Sequence, residues 1–160
     1  MPTVYQGMYN AVTRDVEREL LPCLGDYGIS FYVYNPLAGG LLTGKHQQVD
    51  ASPAAGRFAD NAEYQRRYWN EGYFAAVKQF SDVCAAENTA PANAALRWLV
   101  HHSDLQSDKR DSVVLGASSL AHYEANQGAM QDGPLPDSIV EALDNGWEVA
   151  RPVCIKYFRP

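Results

Sequence analysis

ISFYVYNPLAGGLLTGK, residues 29–45, is the stretch of sequence that decides the fold. Its first part is mostly aromatic or β-branched, which predicts a buried strand. Pro36 lacks the amide hydrogen that a sheet ladder needs and favours an extended Asn35, so we expect the strand to end there. Three glycines follow, and then Lys45. A strand end that opens into such a loop is where parallel α/β proteins commonly bind ligands.

Outward from this stretch, strands and helices alternate along the chain. Residues 3–9 predict a short strand and residues 14–24 a helix capped by Thr13, which together with residues 29–35 make a right-handed βαβ unit. The polar segment 46–60 predicts a long irregular loop of the kind that often covers a binding site. Further expectations are helices at 62–86 (divided or bent at Gly72), 90–102 (capped by Thr89), 120–130 (capped by Ser118 or Ser119) and 138–150 (capped by Asp137), a third strand at 112–116 and an irregular tail at 151–160.

Composition limits the classes of protein to which the chain can belong. Its 160 residues are the length of one domain, and 46% hydrophobic and 20% charged residues are ordinary for a globular protein. The net charge of −6 disfavours general nucleic-acid binding, and no apolar run is long enough to span a bilayer, so no membrane partner is expected. The three cysteines are far apart and lack metal-ligand spacing, which favours a reducing, cytoplasmic location and no metal site.

Residues 39–45 carry most of the phosphate-binding P-loop pattern G-x-x-x-x-G-K. His46 stands where a P-loop has a Ser or Thr hydroxyl that binds magnesium. Residues 47–56 also show no helical pattern, whereas a P-loop opens directly into a helix. The spacing is therefore interpreted as accidental, and nucleotide hydrolysis is not predicted.

Three motifs, in this order along the chain, resemble the last three βα units of the aldo-keto reductases and are most similar to the aflatoxin-aldehyde reductase subgroup. They are VYQGMYN at residues 4–10, YNPLAGGLLTGK at residues 34–45 and LGASSL at residues 115–120. AALRW at residues 94–98 also fits the helix before the last strand of that family. The resemblance extends over essentially all 160 residues, and three ordered motifs are more specific than a lone glycine-rich loop.

The resemblance implies an α/β fold, a partial (β/α)8 TIM barrel with three parallel strands from the last three βα units, extra helices and an irregular C-terminal tail. Residues 1–160 would then form a single incomplete domain without the N-terminal catalytic half. Enzymes of this family transfer a hydride from NADPH to an aldehyde or a ketone. The expected partners are NADP(H) and, only after completion by an N-terminal half, a carbonyl substrate.

The resemblance also implies a cofactor site. Gln6 would hydrogen-bond the nicotinamide carboxamide and Tyr34 would stack on the nicotinamide ring, roles that suit an amide and a flat aromatic side chain. The pyrophosphate would be bordered by Asn35, Leu37, Gly39 and Lys45, with Arg57 closing over it. The adenosine and its 2′-phosphate would face Ser118, Ser119, His122 and Asn126. Arg159 would meet an anionic substrate.

Plainer structural roles stand beside these assignments. Tyr34 taken alone would be a core residue, and Lys45 a solvated charge. The serines of the third motif serve equally well as a helix cap, because capping and phosphate binding use the same groups. Arg66 and Arg67 are expected to be exposed charges. His122 stands where relatives commonly have Arg or Gln, which departs from the usual recognition of the 2′-phosphate.

No catalytic residue is predicted. In the family, hydride transfer needs a tyrosine acid with lysine, aspartate and histidine partners, and all four come from the first half of the barrel. None of those motifs occurs in this sequence. A tyrosine serves as a general acid only where a neighbouring group lowers its pKa of about 10, and nothing in the sequence marks such a pair.

Two hypotheses of function follow. In the first, the chain is the C-terminal, cofactor-binding part of an NADPH-dependent aldehyde or ketone reductase, inactive alone, through gene truncation, a split gene or isolation as a fragment. In the second, it is a non-catalytic half-barrel that forms a homodimer or pairs with an N-terminal fragment and acts as a nucleotide-binding scaffold. An independent α/β enzyme of other chemistry is disfavoured by the three motifs.

Overall fold

The computed structural model describes residues 1–50, 56–59 and 61–158. Within these residues one parallel sheet is formed by β1 (Val4–Met8), β2 (Ser30–Tyr34) and β3 (Ser112–Val113), in the spatial order β1-β2-β3. Val4 pairs with Ser30, and Tyr32 pairs with Ser112. The sheet is thus the predicted run of three consecutive βα strands, with β2, the strand of the opening stretch, at its centre.

Six α-helices surround the sheet in the described residues: α1 (Leu20–Asp26), α2 (Ala62–Tyr68), α3 (Glu71–Ala86), α4 (Pro91–His101), α5 (Leu120–Gln131) and α6 (Asp137–Ala150). Short 3-10 helices occur at Ala38–Thr43, Ser107–Lys109 and Arg151–Val153. None of the helices in the described ranges has the length and apolar character that crossing a membrane requires.

One face of the sheet is covered by helices. Tyr5 and Phe31 stack there with ring centroids 5.9 Å apart, and Val33 beside them is fully buried. Gly7 lies under the Phe31 ring, where an added Cβ would be only 2.4 Å from the nearest ring carbon. A glycine is therefore required in β1 at the point where the aromatic core crosses it.

The opposite face of the sheet carries the alternate residues of the same strands. Val4 and Gln6 are exposed on it, and Tyr32 and Tyr34 are half-buried. In a closed (β/α)8 barrel this face would point inward and be filled by layers of side chains. In the part of the chain that the structure describes, it stays open except at Met8, which is buried beneath Tyr68 at the end of β1.

The first helix differs from its prediction. It begins at Leu20, six residues later than the expected start at residue 14, and Thr13 does not cap it. The amide of Thr13 donates to the carbonyl of Asn10 (3.0 Å) and the amide of Asn10 to the carbonyl of Thr13 (3.3 Å), which closes a tight turn after β1. The Thr13 hydroxyl bonds instead to the Tyr73 hydroxyl of α3 at 3.2 Å. A tertiary contact has replaced the local cap.

Other element boundaries also shift. The helical segment 62–86 is divided at Trp69–Asn70 rather than at Gly72, because the Asn70 side chain accepts from the Tyr73 amide (3.2 Å) and starts a new helix. β3 is two residues long instead of five. Ser119 caps α5 as predicted by accepting from the His122 amide. The cap positions of α4 and α6 are Ala90 and Pro136, not Thr89 and Asp137.

Candidate functional site

Gln6 and Tyr34 line the same cavity, at the carboxyl ends of β1 and β2. Its volume is about 420 Å³. Tyr34 is the last residue of β2 and pairs in register with Met8, the last residue of β1, while Gln6 lies one side-chain alternation earlier on the same face. The sheet geometry therefore brings together two residues that are 28 positions apart in sequence (34 minus 6). The family resemblance assigned both of them to the nicotinamide end of the cofactor.

Cationic side chains form another wall of this cavity. Arg66, Arg67 and Lys156 line it together with the C-terminal tail up to Phe158. Arg66 is exposed and pairs with Glu63 at 3.0 Å, as expected for a surface charge. Arg67 is only partly exposed, its guanidinium lies 5.6 Å from the Tyr64 ring centre, and its buried Nε has no hydrogen-bond partner in the described residues. The expectation that Arg67 is a plain exposed charge was wrong.

The turn after β2 has an unusual backbone. Asn35, Ala38, Gly39 and Gly40 have φ angles of 57°, 51°, 70° and 107°. Such left-handed angles are common for glycine, tolerated by asparagine and unfavourable for alanine. The Ala38 amide donates to the Asn35 carbonyl at 2.9 Å, and the 3-10 helix Ala38–Thr43 follows. The chain folds back sharply enough to keep the loop beside the end of β2.

Gly39 has a second reason to be glycine. An added Cβ would lie 2.7 Å from a ring carbon of Tyr64 in α2. The predicted pyrophosphate loop thus rests directly on an aromatic ring of the following helix. Leu37 is half-buried at the start of the same turn.

The side chain of Asn35 is bound within the protein. Its Nδ2 donates to the Tyr68 hydroxyl (3.3 Å), and its Oδ1 accepts from the Tyr64 hydroxyl (2.9 Å). Its backbone carbonyl accepts from Asn10 Nδ2 at 3.1 Å. With the residue only 8% exposed, the contribution of Asn35 to the loop is to fix its backbone.

Lys45 and Arg57 lie on the outer side of the loop. Both side chains are exposed, and Arg57 Nη1 donates to the Tyr64 hydroxyl at 3.1 Å. Next to Lys45, the His46 ring packs on Phe58 and Trp69, with centroids 5.4 and 5.1 Å away, and burial lowers the pKa of His46. Residues 46–50 contain no helix, which agrees with the rejection of a P-loop.

Three of the four residues predicted to face the adenosine lie at the start of α5, and the fourth, Asn126 in the middle of the helix, reaches back to the loop before it. Ser118 Oγ lies 2.9 Å from His122 Nδ1, Ser119 Oγ accepts from the His122 amide at 3.2 Å, and Asn126 Nδ2 donates to the Gly116 carbonyl at 3.4 Å. The two serines and His122 are exposed. Arg159, predicted to meet the substrate, lies outside the described residues.

Three tyrosines near the carboxyl ends of the strands and in the adjoining core are held in the protonated state. Burial, as the main cause in each case, raises the pKa values of Tyr9, Tyr68 and Tyr73 above the ordinary 10. For Tyr9 the neighbouring Glu17 carboxylate, which accepts from the Tyr9 hydroxyl at 2.6 Å, adds to the effect. A phenol with a raised pKa is a weaker acid, so none of these three suits the role of a general acid.

The sequence profile of the aldo/keto reductase family matches residues 1–148 of the chain. Aflatoxin B1 aldehyde reductase member 2 from Mus musculus is 48% identical, and the match covers 99% of this chain and 46% of the mouse protein. The enzyme of the same name from Homo sapiens is 46% identical, covered over 47% of its length. The chain spans about half the length of the curated relatives it matches.

A solved structure with a similar fold is a glycerol dehydrogenase from Gluconobacter oxydans. It superimposes with a TM-score of 0.66 at 21% sequence identity, over 98% of this chain and 46% of the dehydrogenase. At this level of identity the comparison establishes the fold: three parallel βα units corresponding to about half of a TIM barrel.

Proposed function

Because the chain belongs to the aldo/keto reductase family, we propose that it forms the C-terminal, cofactor-binding part of an NADPH-dependent aldehyde or ketone reductase. The observation that carries the proposal is the placement of Gln6 and Tyr34 in one cavity at the strand ends. Residues 1–160 then act as one incomplete domain whose remaining strands come from an N-terminal half.

The proposed nicotinamide end is polar and aromatic. Gln6 is exposed on the open face, so its amide can donate to and accept from a carboxamide, and the half-buried ring of Tyr34 offers a flat surface for stacking. A bound NADPH would supply the hydride. The residues of this chain would orient the nicotinamide and exclude water from one of its faces.

The proposed pyrophosphate and adenosine ends use different chemistry. The turn at 35–40 binds the amides of Ala38 and Gly40 within itself, so the positive charge offered to a pyrophosphate there comes from the exposed side chains of Lys45 and Arg57. Ser118 and Ser119 stand at the start of the twelve-residue helix α5, where the helix dipole favours a phosphate group. His122, bonded to Ser118, would face the 2′-phosphate in place of an arginine or glutamine.

The proposed substrate is a carbonyl compound with an anionic group. Arg67 and Lys156 line the cavity beside Gln6 and Tyr34. Lys156 Nζ also forms an ion pair with the Asp15 carboxylate at 3.1 Å. The unpartnered Nε of Arg67 is the group with most to gain from an anion. Arg159 follows the tail residues that line this cavity and would add to the charge.

Inactivity of the chain alone is part of the proposal. We expect folded chain with NADPH to leave 4-nitrobenzaldehyde unreduced, because no described tyrosine is paired with a lysine that would lower its pKa. Absorbance at the NADPH band measures turnover. Reduction by the purified chain at a rate above that of buffer would contradict this part.

A half-barrel scaffold is the second candidate, and the open face of the sheet favours it. Val4 and Val114, on that face, are 42% and 43% exposed, and β1 and β3 are edge strands in the described residues. A stable homodimer in solution, seen as a doubled mass by light scattering, would favour the scaffold. A monomer that gains turnover when mixed with an N-terminal half would favour the reductase.

Calorimetric titration with NADPH tests the cofactor site. Tyr34→Ala removes the stacking surface and is expected to weaken binding by about tenfold. Tyr27→Ala is the matched control, because Tyr27 is 62% exposed at the end of α1 and away from the cavity. Folded chain that binds no NADPH, or equal binding by the Tyr34→Ala variant, would contradict the proposal.

A further inference from the structure

The hydroxyl of Tyr64 joins two segments of the proposed cofactor site. It accepts a hydrogen bond from Arg57 Nη1 at 3.1 Å and donates one to Asn35 Oδ1 at 2.9 Å. Arg57 belongs to the excursion after Lys45, and Asn35 to the turn that ends β2. One phenol in α2 therefore connects the outer loop with the strand end.

The ring of Tyr64 supports the same region by packing. It lies against Gly39, close enough that a Cβ there would come within 2.7 Å of the ring. Phe58 meets it edge to face at 6.2 Å, and the Arg57 guanidinium carbon lies 5.2 Å from the ring centre. The Tyr64 ring thus contacts both the Arg57 guanidinium and the glycine turn.

The network continues from Asn35 to the sheet. Asn35 Nδ2 donates to the Tyr68 hydroxyl at 3.3 Å, and that hydroxyl donates to the Met8 sulfur at 2.8 Å. Tyr68 is fully buried, and Met8 is the residue paired with Tyr34 in the sheet register. The chain of contacts therefore runs from an exposed arginine to the end of β1, next to the end of β2 that carries the proposed stacking ring.

The backbone at Asn35 depends on these contacts. A left-handed φ of 57° is unfavourable for most residues, and the two hydrogen bonds to the Asn35 side chain oppose its relaxation to an extended conformation. Ala38, three residues later, has a φ of 51° and no polar side chain of its own. The hydrogen bond from Tyr64 is thus one of two side-chain contacts that restrain Asn35. Tyr64 also bonds to Arg57, which is the only exposed residue of this network in the described part of the chain.

We propose that Tyr64 is a positioning residue for dinucleotide binding. It holds the Arg57 guanidinium against its own ring and hydroxyl and fixes the left-handed turn at Asn35, so that the cation meets a pyrophosphate in one arrangement beside the turn. Tyr64 itself touches no part of the cofactor. The inference rests on the proposed function and assigns a role to a residue that lies outside the three sequence motifs.

Tyr64→Phe separates positioning from packing, because it keeps the ring against Gly39 and Phe58 and removes only the hydroxyl. Calorimetric titration with NADP+ should show a dissociation constant raised by about tenfold, the loss expected for two hydrogen bonds. Adenosine 2′,5′-bisphosphate keeps the adenosine 5′-phosphate of the cofactor but lacks the second phosphate of the pyrophosphate and the nicotinamide, so its affinity should fall less than that of NADP+. Tyr27→Phe is the matched control, since its hydroxyl is on a residue 62% exposed at the end of α1.

Arg57→Ala provides a second route to the same test, because an exposed side chain is removed without loss of the α2 ring. It should weaken NADP+ binding to a similar extent. In the Tyr64→Phe, Arg57→Ala double variant the fold-increase in the NADP+ dissociation constant should be smaller than the product of the two single-variant increases. Should Tyr64→Phe fail to fold, Arg57→Ala still exposes the inference to contradiction. A variant that binds NADP+ as tightly as the unaltered chain would overturn it, since a role in holding Arg57 requires that Arg57 contribute to NADP+ binding.

Three outcomes would overturn the inference. They are unchanged NADP+ affinity in Tyr64→Phe, an equal loss for NADP+ and adenosine 2′,5′-bisphosphate, which would make the role a general structural one, and multiplicative losses in the double variant. In all three the unaltered chain still binds NADP+, so the proposed function stands. Failure of the folded, unaltered chain to bind NADP+ would instead contradict the proposed function.

Discussion

The two faces of the sheet are built from alternate residues of the same strands, yet they differ in what covers them. On the helix side Phe31 and Val33 are 1% and 0% exposed, whereas on the other side Val4 and Val114 are 42% and 43% exposed. The same backbone ladder serves both faces, so the difference comes from the helices that pack on one face. One face therefore buries most of the strand side chains in the core, and the other is the face that the proposed function assigns to the cofactor.

Phe31→Ala should have the largest effect on stability. The side chain is buried and packs on Tyr5 and Tyr9, with centroids 5.9 and 6.2 Å away. Its loss should lower the free energy of unfolding by roughly 3–5 kcal/mol, measured by urea denaturation. Val4→Ala on the open face should change it by less than about 0.5 kcal/mol. An equal cost for both variants would mean that the open face is covered in solution.

Gly7→Ala should come next. The new methyl would lie 2.4 Å from Cε2 of Phe31, and the resulting overpacking should cost about 1–3 kcal/mol. Gly128→Ala is the control with the opposite sign, because Gly128 is inside α5 with open space around it and alanine favours a helix by about 0.5–1 kcal/mol. Thermal unfolding of the two variants compares them. A neutral Gly7→Ala would show that the aromatic pair can move aside.

Low pH should lower the free energy of unfolding through His102, at the end of α4 on the helix-covered side of the sheet. Its Nε2 accepts from the Leu135 amide at 2.9 Å, which requires a neutral ring, and burial, followed by His101 and Arg97, lowers its pKa below the ordinary 6.5. Since the unfolded chain binds the proton more readily, stability should be full above pH 6.5 and decline as the pH falls from there to the folded-state pKa. The hydrogen bond that protonation removes is worth roughly 0.5–1.5 kcal/mol.

His102→Gln checks this assignment, because a glutamine oxygen can accept from the Leu135 amide and does not titrate. The difference in unfolding free energy between the variant and the unaltered chain should shrink or reverse as the pH falls below 6.5. Subtracting the two curves also cancels the contribution of His46, whose pKa is lowered as well. A difference that is constant between pH 5 and 8 would assign the acid sensitivity elsewhere.

Gln6→Ala should have the smallest effect on stability and a large one on binding. Gln6 is exposed on the open face, so the free energy of unfolding should change by less than about 0.5 kcal/mol. NADPH binding should weaken by about tenfold, because the variant has no side-chain amide to hydrogen-bond the carboxamide. Gln79→Ala, at an exposed position of α3, is the control for both measurements. If Gln6→Ala destabilises the chain and leaves NADPH binding unchanged, the two faces do not divide the roles in this way.

The sequence was sufficient where local chemistry decides the structure. The aromatic and β-branched run at 29–34 predicted β2, and Ser119 is a helix cap in the structure because its hydroxyl meets the His122 amide within the same turn. The motif resemblance assigned Gln6 and Tyr34 to one ligand, and the register of β1 and β2 brings them to one cavity. Their roles in binding remain predictions.

Tertiary contacts decide what the sequence could not show. Thr13 has the chemistry of a helix cap, but the Tyr73 hydroxyl, 60 residues away, takes its side chain. Arg67 has the same local signal as Arg66, a charged residue in a surface helix, but tertiary packing leaves Arg66 exposed and buries the Nε of Arg67. Nothing local in the sequence marks the hydrogen bonds that the hydroxyls of Tyr64 and Tyr68 make to Asn35.

The two-residue strand β3 has a consequence for the order of folding. Val4 pairs with Ser30, but Tyr32 must find Ser112, so the second closure spans a chain segment about three times as long and costs more entropy. The unit β1-α1-β2 should therefore assemble first, also during synthesis, and β3 should dock last and open most often. The N–H of Val114 donates to the Val33 carbonyl at 2.8 Å, so its amide hydrogen exchange rate would report how often β3 opens.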